Sequence, residues 1–398
     1  MVSSAVSVAI CCACDQSLIV TSHSIFQSQS TPRTETLTHL RTHHRAQYSP
    51  PRKFTSHQPP SLFSLPLQNT SRMKVNTAPQ PPPISHAHHT PPAHIRALHK
   101  SHRGSPLTAP TVLDFEDLPP DSSSSVAITS KINASIASAA FSAFSDGDED
   151  TANVESDIPI YNVASVPGLL VIPNLIPPSV QKTLLRKLLF RDLSDPRHKT
   201  NLHAHYHLPP LPPDIGSYFE SPPGTTFRAL DTGGHDLSAD HMLDKKLRWV
   251  TLGGQYDWSL KKYPADSSSL PEFPPDIREL VSSLFGITAQ AAIVNIYSPG
   301  NTLAPHRDIS ESSSAPLVSV SLGCEALFIA GVRDGEGVVV RVRSGDALVM
   351  SGEARWAWHS VPTIAGGTCP EWLQEWPEER RGWMRGKRVN LNVRQMWD

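Results

Sequence analysis

The stretch AAIVNIYSPGNTLAPHRDIS, residues 291–310, joins two extended segments through a Pro-Gly turn and ends in a polar loop. Its apolar and β-branched residues are typical of strands. The second segment ends at His306, and Asp308 follows two positions later. Side chains two positions apart at a strand end project to the same side, so these two groups can bind one cation. The stretch predicts a β fold with ligands at a strand end.

Similar β-like segments lie on both sides of this stretch. They are LRWVTLGGQYDW, LVSVSLG, EALFIAG, GVVVRVRSGDALVMSG, RWAWHSVP and RVNLNVRQMW. Between the first of them and residue 291, PPDIRELVSSLFG predicts a helix capped by Asp276 and closed by Gly286, and an earlier amphipathic helix follows Ser179. We therefore expect a mainly β fold with flanking helices (α+β). Its core would be a double-sheet jelly roll, the double-stranded β-helix.

The N-terminal part differs in composition from the rest of the chain. Of 398 residues 38 are proline, and before residue 113 only Asp15 and Glu35 are acidic. Such a segment cannot bury enough apolar surface to fold. We expect residues 1–155 to be a disordered Pro/Ser/His-rich region, with a targeting segment as an alternative, and residues 156–398 to form one domain.

Charge and cysteine content restrict the class of protein. The net charge is −2, so any nucleic-acid contact must come from a local patch. The five cysteines form no disulfide framework, and the apolar stretch at residues 5–13 is too short to cross a membrane. We expect an intracellular monomer without membrane contact, in the nucleus or cytoplasm, with the mitochondrion as an alternative.

A third metal ligand is predicted in RWAWHSVP, where His359 lies at another strand end. Two histidines and one carboxylate leave coordination positions open, which suits a non-haem Fe(II) oxygenase. A zinc hydrolase with the same ligands stays open. A protein-kinase interpretation of His-Arg-Asp is excluded because Ser313 stands where the catalytic asparagine would be.

The segment GKRVNLNVRQMW favours iron over zinc. Its alternation places Arg388, Asn390 and Arg394 on one face of a strand. Two arginines on a buried face need anions. A dicarboxylic cosubstrate such as 2-oxoglutarate would supply them, with one end on the metal and the other held by a guanidinium.

These motifs together resemble the AlkB family of Fe(II)/2-oxoglutarate dioxygenases, most closely the eukaryotic subgroup typified by the first human homologue. The resemblance rests on VNIYSPGNTLAPHRDISE, VSVSLGCEALFIAG, SGDALVMSGEARWAWHSVP and RVNLNVRQ, and LRWVTLGGQYDWSLKKY extends it upstream. It implies that iron binds to His306, Asp308 and His359, and that O2 is the oxidant. It also implies a 2-oxoglutarate site formed by Asn295, Tyr297, Arg388, Asn390 and Arg394.

The resemblance further implies oxidative demethylation of N-methylated bases in tRNA or DNA, with release of succinate, CO2 and formaldehyde. Candidate substrate contacts are Trp249, Tyr256, Trp258 and Glu311. Bacterial relatives carry an acidic residue where this chain has Ser310, followed by Glu311, and one lid aromatic is absent from Gly254-Gln255-Tyr256, so their substrate choice does not transfer. Protein side chains as substrates, and a binding module without turnover, remain alternatives. The long connection at residues 369–386 is a candidate partner or substrate loop.

Overall fold

A computed structural model describes residues 90–118, 125–145, 153–256, 270–332 and 335–397, which all belong to one compact unit. The strands in these residues are β1 (Val112–Leu113), β2 (Val126–Ile132), β3 (Ile158–Val163), β4 (Leu169–Ile172), β5 (Thr226–Phe227), β6 (Leu237–Ser238), β7 (Trp249–Gly253), β8 (Ala291–Tyr297), β9 (Leu303–His306), β10 (Leu317–Gly323), β11 (Ala326–Gly331), β12 (Gly337–Val342), β13 (Ala347–Met350), β14 (Trp358–Ile364) and β15 (Arg388–Arg394). The helices are α1 (Ala93–Ser101), α2 (Ala134–Phe144), α3 (Pro178–Arg186), α4 (Ala239–His241), α5 (Pro275–Phe285) and α6 (Glu371–Gln374).

The strands form a large and a small sheet. The large sheet has the order β2-β3-β4-β13-β10-β15-β8-β7, the small sheet has the order β1-β12-β11-β14-β9, and β5 pairs with β6 separately. Arg388, Asn390, Asn392 and Arg394 alternate along β15 with Val389, Leu391 and Val393. The three valine and leucine side chains join the hydrophobic cluster that includes the buried residues of α2, α3 and α5. The prediction of a jelly roll with flanking helices is confirmed.

The N-terminal elements pack on the back of the small sheet. Strand β1 pairs in parallel with β12, and α1 contacts β9, β11, β12 and β14. Leu98, Leu107 and Val112 cover a cluster formed by Leu327, Ile329 and Val339. This segment therefore covers the outer side of the strands that carry the two metal-site histidines.

Folded structure thus begins before residue 156, the start expected from composition. Strand β2 pairs with β3 at the edge of the large sheet, and Asn133 caps α2 through the backbone N–H of Ser135. Phe141 and Phe144 of α2 are buried. A serine- and alanine-rich segment folds here because the domain supplies the apolar surface that it lacks. For residues 1–89, 119–124 and 146–152 the prediction lies outside the described residues.

The starts of two helices differ from the prediction. Helix α3 begins at Pro178 rather than after Ser179, and α5 begins at Pro275 rather than after a capping Asp276. Proline suits a first helical position because its missing N–H would have no partner there. Asp276 instead pairs with Lys187 and Arg191. Gly286 closes α5 in the left-handed conformation, as predicted.

The connection between β14 and β15 is packed against the domain. Leu373, Trp383 and Met384 are buried, and the Trp376 ring lies 5.9 Å from that of Phe190. Its apolar residues are thus part of the fold, which does not support a free partner loop. Separately, none of the helices in the described ranges has both the length and the hydrophobicity that a bilayer crossing requires.

Ile95 tests whether the N-terminal segment is part of the domain. It is fully buried in α1, next to Gly331 and Gly337. Ile95→Ala should lower the free energy of unfolding by about 2–5 kcal/mol because it leaves a cavity. Denaturant unfolding of the full chain measures this, with the exposed neighbour changed in Arg96→Ala as control. Equal stability of both variants would contradict the packing.

Candidate metal centre

Pairing of β9 with β14 sets His306 directly opposite His359. Their ring centroids are 4.3 Å apart. Asp308 follows β9 in the next loop, with its Oδ1 3.8 Å from Nε2 of His306 and its Oδ2 3.9 Å from Nε2 of His359. All three ligand atoms lie within 4.8 Å of one another, and no other group of this kind occurs in the described part of the chain. The arrangement matches a two-histidine, one-carboxylate metal site.

Both imidazoles are oriented for metal binding. Nδ1 of His306 donates to the carbonyl of Ala304 at 2.9 Å, and Nδ1 of His359 donates to the carbonyl of Ala357 at 3.3 Å. These bonds leave Nε2 of each ring as the basic nitrogen. Burial, together with the neighbouring His306, lowers the pKa of His359 to about 4. The ring is therefore neutral, as a metal ligand must be.

The two oxygens of Asp308 differ in their hydrogen bonding. Oδ2 accepts from Nδ2 of Asn392 at 3.2 Å and from Nη2 of Arg394 at 3.1 Å. Burial would raise the pKa of Asp308, but Arg394 and the two imidazoles hold it well below its usual range. A charged carboxylate with the donors concentrated on one oxygen leaves Oδ1 to the cation.

A buried ion network supports the ligand loop. The carboxylate of Glu311 receives Nη2 of Arg355 at 3.1 Å and Nη1 of Arg394 at 3.0 Å, and the side chains of Glu311 and Arg355 have no exposed surface. Arg355 also donates to the carbonyls of Asp308 and Ala315. The expectation that Glu311 contacts substrate is therefore wrong, because its two oxygens are occupied by arginines.

Arg388 lies fully buried at the start of β15. Its Nη2 donates to Oγ of Ser321 at 2.9 Å, and its guanidinium carbon is 5.7 Å from the Tyr297 ring centroid. Its Nε and Nη1 have no hydrogen-bond partner. A buried cation with two unused donors is costly without an anion. The residue thus fits the far carboxylate of a small diacid.

The remaining cosubstrate candidates share this inner face of the large sheet. Asn295 lies opposite Asn390, and Tyr297 lies opposite Arg388. The Asn390 amide already donates to Oγ of Ser319 and to the carbonyl of Val320, which leaves its oxygen for a ligand. The guanidinium of Arg394 faces Asp308 and Glu311.

Two of the three aromatic substrate candidates, Trp249 and Tyr256, lie in the part of the chain that the structure describes. Trp249 is half-buried and lies opposite Asn295, so it is on the same face as the cosubstrate candidates. The hydroxyl of Tyr256 lies 3.5 Å from Oγ of Ser310, two residues beyond Asp308. Trp258 lies outside the described residues.

Two residues of the site, Asn392 and Arg355, were not identified from the sequence. Asn392 shares the alternating face of Arg388 and Arg394, which was a usable signal, and its amide reaches Asp308. Arg355 precedes His359 by four residues and contacts a loop more than forty residues earlier. No local pattern identifies that contact.

Comparisons with known proteins identify the family to which the chain is similar. Residues 215–394 match the 2OG-Fe(II) oxygenase superfamily. A Pyricularia oryzae protein named N6-methyladenosine RNA demethylase ALKB1 is 40% identical over 349 residues, which is 78% of this chain and 97% of that protein. The tRNA demethylase abh1 of Schizosaccharomyces pombe is 38% identical over 257 residues, covering 62% of this chain and 84% of that protein.

A more distant relative and a solved structure complete the comparison. The Arabidopsis thaliana protein named DNA N(6)-methyladenine demethylase ALKBH1A is 34% identical over 191 residues, covering 43% of this chain and 54% of that protein. The solved structure of OsALKBH1 aligns with 60% of this chain and all of that chain, at 20% identity and a TM-score of 0.39.

The ion network should be essential for stability. Glu311→Ala would leave two buried guanidiniums without their shared counter-ion, at a cost of about 3–5 kcal/mol in the free energy of unfolding. Glu379→Ala, which removes the partner of the exposed Arg186, should cost about 0–1 kcal/mol. Denaturant unfolding in the presence of a chelator measures both without a contribution from bound metal. Equal losses would contradict the burial of the Glu311 pair.

Asn392 should affect metal affinity through Asp308. Asn392→Ala removes one donor to Oδ2, and loss of such a partner typically weakens metal binding about 10-fold or more. Anaerobic titration with Fe(II), without cosubstrate, measures the dissociation constant. The control is Asn390→Ala, whose amide bonds to β10 instead of to a ligand, and its affinity should stay at the wild-type value. The same loss in both variants would assign the effect to general loosening of β15.

Proposed function

The chain belongs to the AlkB family of 2OG-Fe(II) oxygenases, and from that premise we propose that it is an oxidative demethylase of N-methylated nucleobases in tRNA or DNA. The 2OG-Fe(II) oxygenase superfamily uses Fe(II), 2-oxoglutarate and O2. The named activities of the three relatives, on RNA, tRNA and DNA, all support a nucleic-acid substrate. An N-methylated adenine is the base that two of those names share.

One observation carries the proposal: a metal triad and a buried guanidinium with two unused donors occur in one jelly roll. The triad alone would also suit zinc. A zinc hydrolase needs no diacid cosubstrate, whereas a 2-oxoglutarate oxygenase needs a cation for the far carboxylate of its cosubstrate. Arg388 therefore favours the dioxygenase.

The roles we assign follow from the contacts. Nε2 of His306, Nε2 of His359 and Oδ1 of Asp308 would hold Fe(II), and Arg388 would bind the distal carboxylate of 2-oxoglutarate. Bound iron supplies O2 activation coupled to decarboxylation of 2-oxoglutarate, which yields succinate and CO2. Tyr297, Asn295 and the oxygen of Asn390 line the face on which the cosubstrate would lie. Arg394 acts on the metal side, since its guanidinium binds Asp308.

The protein's own contribution is to position the substrate and to exclude water. A base must leave its stack to reach a pocket of this kind. Trp249 and Tyr256 are the described aromatic side chains that we assign to hold it. Hydroxylation of the methyl group gives a hemiaminal, which separates into formaldehyde and the unmodified nitrogen. The activity requires a compartment that holds RNA or DNA, so the nucleus, the cytoplasm and the mitochondrion are the expected places.

The decisive experiment offers several substrate classes to one preparation. The protein is incubated with Fe(II), ascorbate and 2-oxoglutarate, together with total tRNA, genomic DNA or methyl-lysine peptides. Formaldehyde and succinate are measured, and nucleosides are compared by mass spectrometry. We expect loss of a methylated nucleoside that depends on 2-oxoglutarate. Product from the peptides alone, or turnover that continues without 2-oxoglutarate, would overturn the proposal.

Variants of the site should separate metal loss from cosubstrate loss. His306→Ala and Asp308→Ala should abolish Fe(II) retention and turnover, because two ligands cannot hold the ion. Arg388→Ala should keep the metal but raise the KM for 2-oxoglutarate about 100-fold or more, since a bidentate charged contact is lost. Arg388→Lys should fall between, because an ammonium restores charge without the fork. Steady-state kinetics measure this, and an unchanged KM would contradict the role of Arg388.

A further inference from the structure

Strand β7 is the edge of the large sheet, and its outer side is held by residues 199–201. The backbone N–H of Thr251 donates to the carbonyl of Lys199 at 2.8 Å. Asn201 accepts the backbone N–H of Arg248 and donates to the carbonyl of Lys246, both at 2.8 Å. The chain around this edge is therefore fixed by hydrogen bonds on both sides.

Four cationic residues lie along this fixed edge, and we name Lys199, Lys245, Lys246 and Arg248 the basic edge. The three lysines are exposed and Arg248 is half-buried. In the ranges that the structure describes, none of the four has a carboxylate within 4.0 Å. Other exposed lysines of those ranges, such as Lys131 and Lys182, also have no ion pair, but they lie apart from one another, whereas these four cations lie along one edge. The basic edge thus combines four cationic groups with one exposed carboxylate, that of Asp244, and keeps a net positive charge.

A fifth cation lies beneath the same edge. Lys387 donates from Nζ to the carbonyl of Asp244 at 2.6 Å and to Oγ of Ser298 at 2.9 Å. The guanidinium of Arg248 donates to Asn301 in the same turn between β8 and β9. Burial lowers the pKa of Lys387 to about 8; the nearby Asp244 opposes this shift, and Lys245 and Arg248 add smaller effects that lower it. Together with the basic edge, Lys387 makes five cations against the one carboxylate of Asp244, so an external anion would be attracted to this surface.

The strand that carries these charges also leads to the candidate site. Trp249 follows Arg248 directly and lies opposite Asn295 on the inner face. Tyr256 lies three residues beyond β7 and contacts Ser310 of the metal-ligand loop. A polyanion lying along the edge would therefore be adjacent to the strand whose aromatic residues we assign to the base.

We propose that the basic edge binds the phosphate backbone of the nucleic acid whose methylated base enters the metal site. This inference rests on the proposed function. Lysine and arginine side chains that meet phosphates release condensed counter-ions, which makes binding depend on salt and not on sequence. Aromatic side chains next to a cationic track are the usual arrangement for single-stranded nucleic acid. The basic edge would then supply affinity, while the pocket supplies the choice of base.

The test is the salt dependence of binding. The double variant Lys245→Ala/Lys246→Ala and the wild-type full chain are titrated into a labelled, unmodified single-stranded RNA between about 50 and 200 mM salt. Loss of two phosphate contacts should make the slope of log K, the association constant, against log salt less steep by about 1.4. At about 0.1 M salt this corresponds to roughly 25-fold weaker binding. A thermal melt of each protein verifies that the variant is folded.

A matched control changes the same charge elsewhere. Lys131→Ala/Lys182→Ala removes two exposed lysines, one on β2 at the opposite edge of the large sheet and one on α3, and should keep the wild-type slope. Equal slopes for both double variants would overturn the proposal. A second outcome would also overturn it: a poly-glutamate peptide that displaces the labelled RNA as effectively, per charge, as unlabelled RNA does. That result would assign the edge to an acidic protein.

The readout separates this inference from the proposed function. Unmodified RNA is not turned over, so the slope reports the surface alone. If the wild-type protein demethylates RNA but the slopes do not differ, the basic edge is wrong and the function stands. If the slope changes as expected but no methylated nucleic acid is demethylated, the function is wrong and the surface stands.

Discussion

The site depends on one buried ion network. In it, Asp308 and Glu311 of the ligand loop pair with Arg355 and Arg394. Arg355 comes from the segment that enters the small sheet, and Arg394 comes from the last position of β15 in the large sheet. Each guanidinium is planar and directional, so the loop is fixed in orientation as well as in place. The network therefore joins the two sheets at the point where the cation would bind.

The same network explains how a carboxylate on a loop comes to lie beside two imidazoles on paired strands. Pairing of β9 with β14 is sufficient to set the imidazoles opposite each other. Asp308 lies beyond the strand, where no ladder fixes the backbone, so hydrogen bonds to its carbonyl and to Oδ2 do so instead. A site on a loop gains the precision of a site on a strand when its supporting contacts are satisfied.

The sequence predicted what depends on local periodicity. The strands, the jelly roll and the grouping of His306, Asp308 and His359 follow from alternation and from ligands at strand ends. Contacts between distant segments were not accessible in this way. Glu311 was predicted as a substrate contact because its arginine partners lie 44 and 83 residues later in the chain. The N-terminal segment was predicted to be disordered because its apolar partners belong to the domain. The helix starts were predicted at the capping residues Ser179 and Asp276, but α3 and α5 begin at the prolines just before them.

The two imidazoles differ in access to solvent: the side chain of His306 is 36% exposed and that of His359 is 7% exposed. An ion that enters the site from solvent would therefore pass His306, because the His359 side of the site is closed. A base seated against the accessible imidazole would cover that passage. In that case the ion would have to be loaded before the polymer arrives, and the bound polymer would shield the ion from chelators in the surrounding medium.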